Sequence, residues 1–207
     1  MLRRLLAFSM FFIVPILIFG QSVNYNKIIL DFCKRAENLD WKGSSINEIV
    51  LENQKLTLQI IQDHQETIVQ IKDSIKTRNP KMLNKEIEKE FTIGLLVSLV
   101  NKCDTFVQLT RTLLAPCPKE NETLKLITQK ADSIIDQNQN LSYPEQLKVA
   151  DNQLFNLIMD NESQVDKDYK DGFADPKLPD DLGIYLLHNS IKYYKAYLVT
   201  ESIKMLN

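Results

Sequence analysis

The most regular hydrophobic pattern in the chain runs from Ser45 to Arg78. Ile46, Ile49, Leu56, Ile60, Ile68, Ile71 and Ile75 return at helical spacing, with no Gly and no Pro between them. That period predicts one long amphipathic helix, a spine against which other helices pack. Ser45 followed by Glu48 is a capping-box signal, in which the hydroxyl takes a free backbone N–H and the carboxylate reaches back. Asn79-Pro80 stops the helix, because proline pushes the preceding residue out of helical geometry. At ~1.5 Å per residue the spine would be ~50 Å long, and it needs partners along its whole stripe. Asn53 and His64 fall on or beside the stripe. They read either as core polar residues that set register or as the polar lining of an internal ligand pocket.

The same period recurs along the rest of the chain. Ile28, Ile29, Phe32, Cys33, Ala36 and Leu39 predict a shorter helix over residues 24–40, closed by Lys42-Gly43-Ser44, with Trp41 as a packing plug at the corner. A helix over about 81–114 carries Leu83, Ile87, Phe91, Leu95, Leu99, Phe106, Leu109 and Leu113. Its middle, FTIGLLVSLV, is apolar nearly all round and belongs at the centre of a bundle. Ala115-Pro116-Cys117-Pro118 breaks the chain. Further helices are expected over about 119–137, 144–170 and 181–205, with residues 171–181 as a loop. Six helices with short connections, four of them long, predict an all-α antiparallel bundle.

Residues 1–20 have a different pattern. Arg3 and Arg4 precede an apolar stretch from Leu5 to Phe19, and Gly20 is a small residue before polar Gln21-Ser22. This is the layout of a secretory signal peptide cleaved after Gly20. The alternative, an uncleaved anchor, has a short apolar run interrupted by Pro15, where a span needs ~20 residues. The expected organisation is therefore a signal peptide over 1–20 and a single helical domain over 21–207. The expected location is the periplasm or the outside of the cell, with the membrane met only through the leader.

Composition narrows the function. Gly is rare at 5, while Leu, Ile, Lys, Glu and Gln are abundant, which favours helix. Net charge is −2, and cleavage removes Arg3, Arg4 and no acid, leaving −4. With no basic patch, nucleic acid is not an expected partner. Three cysteines in an oxidising compartment allow a disulfide. If the first three helices run up, down and up side by side, Cys33 and Cys103 fall at nearly equal height. Cys103 and Cys117 are about three helical turns apart, too far for a bridge. The ranking is Cys33–Cys103, then Cys33–Cys117, then Cys103–Cys117, against three buried thiols.

Catalytic signals are weak. Neither His64 nor His188 has Glu three residues before it, against a di-iron carboxylate bundle, and there is no HExxH or zinc spacing. Asp166, Asp168, Asp171 and Gly172 faintly suggest a calcium loop, but Lys170 and Lys177 fall where oxygen ligands are needed. No GxSxG or Gly-rich phosphate loop occurs. No cofactor is expected. Tyr193 and Tyr197 share a face of the last helix, which reads as a widened buried face or as an aromatic contact patch. Asn121, Asn140 and Asn161 each begin an N-x-Ser/Thr acceptor pattern, which matters only in a eukaryotic secretory path.

The sequence thus points to an exported, non-catalytic binding or interaction protein whose partner is another protein. The alternatives are a helical enzyme or small-ligand carrier with a pocket near His64 and Asn53, and a secreted signalling bundle.

Overall fold

The computed structural model describes residues 25–39 and 44–206. The expected signal peptide, Trp41 and Gly43 lie outside these residues. Among the described residues the protein is all-α, with ten helices and no strand. They are α1 (Asn26–Glu37), α2 (Ile46–Asp63), α3 (Gln65–Arg78), α4 (Asn84–Lys102), α5 (Asp104–Arg111), α6 (Glu122–Gln137), α7 (Tyr143–Met159), α8 (Glu162–Asp168), α9 (Leu178–Asn189) and α10 (Ile191–Lys204). A single 3-10 turn, Gly172–Ala174, lies between α8 and α9.

Local chemistry accounts for the helix ends. Ser45 and Glu48 form the capping box of α2: the Glu48 N–H donates to Ser45 Oγ, and the Ser45 N–H donates to Glu48 Oε2 at 2.7 Å. Ser142 and Glu145 cap α7 in the same way, and Pro144 sits in its first turn, where no N–H is needed. Pro179 does the same for α9, so a helix begins at Leu178, inside the stretch expected to be loop.

Each of the four long helices expected from the pattern is interrupted once, which turns six helices into ten. The breaks fall at His64, at Cys103, at Asp160-Asn161 and at Ser190. None of these is Gly or Pro. Three are buried residues tied to another helix. His64 Nε2 lies 2.8 Å from Asp31 Oδ2 on α1. Cys103 is joined by a disulfide to Cys33 on α1, with Cα atoms 5.7 Å apart. Ser190 Oγ donates to Asp132 Oδ1 on α6 at 2.5 Å. At each tie the backbone leaves helical geometry, as at Cys103 (φ −128°, ψ 88°) and Ser190 (φ −115°, ψ 106°). A side chain held sideways thus replaces the usual helix breakers. Asn161 differs: its amide donates back to Leu157 O, a local bond.

The described chain forms two compact units. The first runs to Leu113 and takes in the residues from Glu201 on; the second is Leu114–Thr200. In the first unit α1 packs on α2, α4 and α5, while α3 packs on α4. α4 also packs on α5, so α1 and α4 each meet three helices and together form the centre, with the α2–α3 spine to one side. Ile28, Ile29, Phe32 and Ala36 of α1 are buried, and the Phe32 ring meets Phe106 edge-on at 5.9 Å. Such a pair adds about 0.5–1.5 kcal/mol to the burial itself. In the second unit α6 is the centre, packed against α7, α8 and α9. Leu124, Ile127 and Ala131 of α6 are fully buried there. The Asp168 carboxylate caps α6 by accepting from both the N–H and the Oγ of Thr123 at 2.7 Å.

Candidate functional site

His64 belongs to a charged network. Asp31 accepts its ring N–H at 2.8 Å and accepts two bonds from Arg35, at 2.9 and 2.7 Å. Arg35 also pairs with Asp63 at 2.7 Å. The network joins α1 to the end of α2 where the spine breaks. The Arg35 guanidinium holds the Asp31 carboxyl below its usual range; burial opposes this and the His64 bond adds to it. An ionised carboxylate only accepts, so Nε2 carries the hydrogen. The other ring nitrogen, Nδ1, is buried with no partner among the described residues. It is the atom a substrate would have to meet, and it is sealed from solvent.

Asn53 lies eleven residues before His64 on the same side of the spine, about 16 Å away along a helix. It does not join the network. It is 1% exposed, and neither its Oδ1 nor its Nδ2 has a partner among the described residues. A buried amide left so costs roughly 1–3 kcal/mol, which marks Asn53 as a position with a reason still to be found.

Glu90 is a buried carboxylate in the first unit, whereas Asp31 is half-buried. Arg78 Nη2 stands 3.4 Å from Oε1, while Oε2 has no partner among the described residues. Burial raises the Glu90 carboxyl above its usual range and Arg78 pulls the other way. Beside it, an open cleft at the α3–α4 turn is lined by Arg78, Asn79, Pro80, Lys81, Met82 and Glu86. The charges there are of both signs.

In the second unit the tyrosines of the C-terminal helices face inward. Tyr193 is buried, and its hydroxyl donates to Asp151 Oδ1 on α7 at 2.7 Å. Burial first, and the Asp151 bond second, push that hydroxyl well above the usual tyrosine range. Tyr197 is half-buried. Tyr185 donates to Glu120 Oε2 at 2.5 Å and is pushed up to about 12, by burial before that bond. Cys117 is an exposed free thiol, with the Asn189 amide 3.6 Å from its sulfur. Of the three glycan acceptor positions, Asn140 is exposed in the turn between α6 and α7. Asn121 caps α6 through Oδ1, and the Asn161 amide nitrogen is engaged with Leu157 O. Among the described residues no metal-ligating cluster of three side chains forms, and no helix is long and apolar enough to cross a membrane.

The surface feature that sequence reasoning missed is on the spine. Its inner stripe is buried as expected, except Ile46, which is exposed at the first turn. A second set of apolar residues is exposed on the same helices, with Leu51, Leu58 and Val69 on the opposite side and Ile61 on the flank between. Leu51 is 51% exposed, Leu58 57%, Ile61 47% and Val69 50%. The signal was present as Leu51, Leu58 and Val69, apolar residues about half a turn out of phase with the main stripe. Three large apolar side chains nearly in line across two helices, with Ile61 beside them, mark an interaction face more strongly than scattered ones do.

No protein-family model matches the chain, and no characterised protein or solved structure is significantly similar to it.

Proposed function

We propose that this is an exported, non-catalytic interaction protein of the periplasm or extracellular space, with an antiparallel helical bundle released by cleavage after Gly20. It works by docking another protein on the outer face of α2 and α3. The observation that carries the reading is the second stripe, Leu51, Leu58, Ile61 and Val69. A helix that already buries one face needs no second apolar face for its own stability, so the exposed one is available for a partner helix. The tyrosine face enters only through half-buried Tyr197, because Tyr193 is spent on Asp151.

A photo-crosslinking residue placed at Leu58 tests this in cells, with the same residue at exposed Lys85 as control. Specific adducts from position 58 support the reading; equal labelling at both positions removes it. Mass analysis of the exported chain tests the leader, with Gln21 expected as the first residue.

Asn53 favours a second reading, a small-ligand carrier with its polar contact at that amide. Asn53→Leu separates the two. A stabilised protein with unchanged partner binding assigns Asn53 to the core, and loss of a co-purifying small molecule assigns it to a pocket.

A further inference from the structure

The exposed stripe has an internal symmetry. Leu51 and Val69 are eighteen residues apart, which is about five full turns, so they point the same way. Lys55 and Glu66 lie on one flank of that line, within about 20° of each other, and Leu58 and Ile61 lie on the other. All three pairs, and Gln54 with Gln65, are centred within half a residue of position 60. The phase carries across the break at His64, because Ile49, Leu56 and Ile60 before it and Ile68, Ile71 and Ile75 after it are all buried and fall within one sector of a single helical count.

A two-fold axis through that centre reverses the helix direction and returns each flank to its own side. It sets Leu51 against Val69, Leu58 against Ile61, Gln54 against Gln65 and Lys55 against Glu66, each twice. Apolar meets apolar, amide meets amide and cation meets anion. This is the condition for an isologous interface, in which one patch is complementary to itself. Glu66 is exposed and has no ion-pair partner among the described residues, and Lys55 is engaged only with Glu52 of its own helix.

Resting on the interaction reading above, we infer that the partner of this face is a second copy of the chain, paired antiparallel through α2 and α3 about position 60. A single pair of helices buries less than the ~1,200 Å² of a standard stable interface, so the dimer is weak and concentration-dependent.

Sedimentation equilibrium of the exported chain, in a Cys117→Ser background that removes thiol-linked dimers, tests the inference. A monomer–dimer equilibrium with Kd below about 1 mM is expected. Lys55→Glu and Glu66→Lys each place like charges in contact twice and should raise Kd roughly tenfold. The double variant Lys55→Glu/Glu66→Lys should return to within about threefold of the parent, because the pair is only exchanged. Leu58→Glu should leave monomer alone. These positions are exposed, so helicity by circular dichroism should not change. A parent chain that stays monomeric at about 1 mM overturns the inference. So does a dimer indifferent to Lys55→Glu, or a charge swap that fails to restore it. The crosslinker at Leu58 separates this failure from a wider one. Adducts to a different protein remove the second copy and leave the interaction face standing, while the absence of any adduct removes both.

Discussion

His64 and Asp31 meet across a helix junction: the imidazole Nε2 is 2.8 Å from the carboxylate, and the spine leaves helical geometry at that histidine. The bond couples α1 to the junction between the two halves of the spine. His64→Ala removes the bond and opens a cavity at a buried position, and should lower the unfolding free energy by about 2 kcal/mol in urea denaturation. In a double-mutant cycle with Asp31→Ala, a coupling of about 1 kcal/mol is expected, and additivity would deny the bond any role in holding the junction.

Asp31 and Glu90 should give opposite pH responses. The Asp31 carboxyl is lower in the fold than in the unfolded chain. Its contribution is therefore full above the ordinary carboxylate range and is lost as pH falls through the depressed folded value. Glu90 is raised in the fold, so the folded state holds that proton more tightly and stability declines as pH rises through its folded value. Glu90→Gln should accordingly gain about 2–4 °C in melting temperature at neutral pH and less in acid, while Asp31→Asn should flatten the acid limb of the curve. Thermal melts across that range distinguish the two.

The Cys33–Cys103 bridge closes a separation of 70 residues. In the chain-entropy account, removing a cross-link of that span costs about 4 kcal/mol, through the greater freedom of the unfolded chain. Cys33→Ala/Cys103→Ala should show this loss in denaturant titration, and a non-reducing peptide map of the parent should recover that pair.

Tyr193 tests whether the last helix is held by packing or by its hydroxyl. Tyr193→Phe removes the bond to Asp151 and should cost about 1 kcal/mol. Tyr193→Ala also removes the buried ring and should cost about 3–5 kcal/mol, with amide exchange rising on α7 and α10 together. Tyr197→Ala should cost less than Tyr193→Ala, since that ring is half in water already.

The all-helical character and several helix ends were readable from residues close in sequence. Ser45 with Glu48, Pro80 and Pro144 act over one turn, so a local pattern contains the whole cause. The breaks at His64, Cys103 and Ser190 were not readable. Their cause is a tie to Asp31, Cys33 or Asp132, tens of residues away, and nothing in the local composition interrupts the helical period. The central place of α4 was legible in its all-round apolar middle, whereas that of α1 was hidden: length singles out the spine, and only contact with three helices raises the short α1 beside α4. The outer stripe of α2 and α3 escaped because one strong period masks a weaker one half a turn out of phase.

The division of the chain has a consequence for its birth. Residues from Glu201 onward group with the first hundred or so, and Ser202 among them is buried. The later-made segment, 114–200, is thus an insertion within a unit that has to wait for the final turn of α10. Whether the polypeptide emerges from a ribosome or threads through a translocase, the inserted part can assemble while its host still lacks its closing piece. Loss of the residues from Glu201 on would then injure the first-made part of the protein rather than the segment next to them.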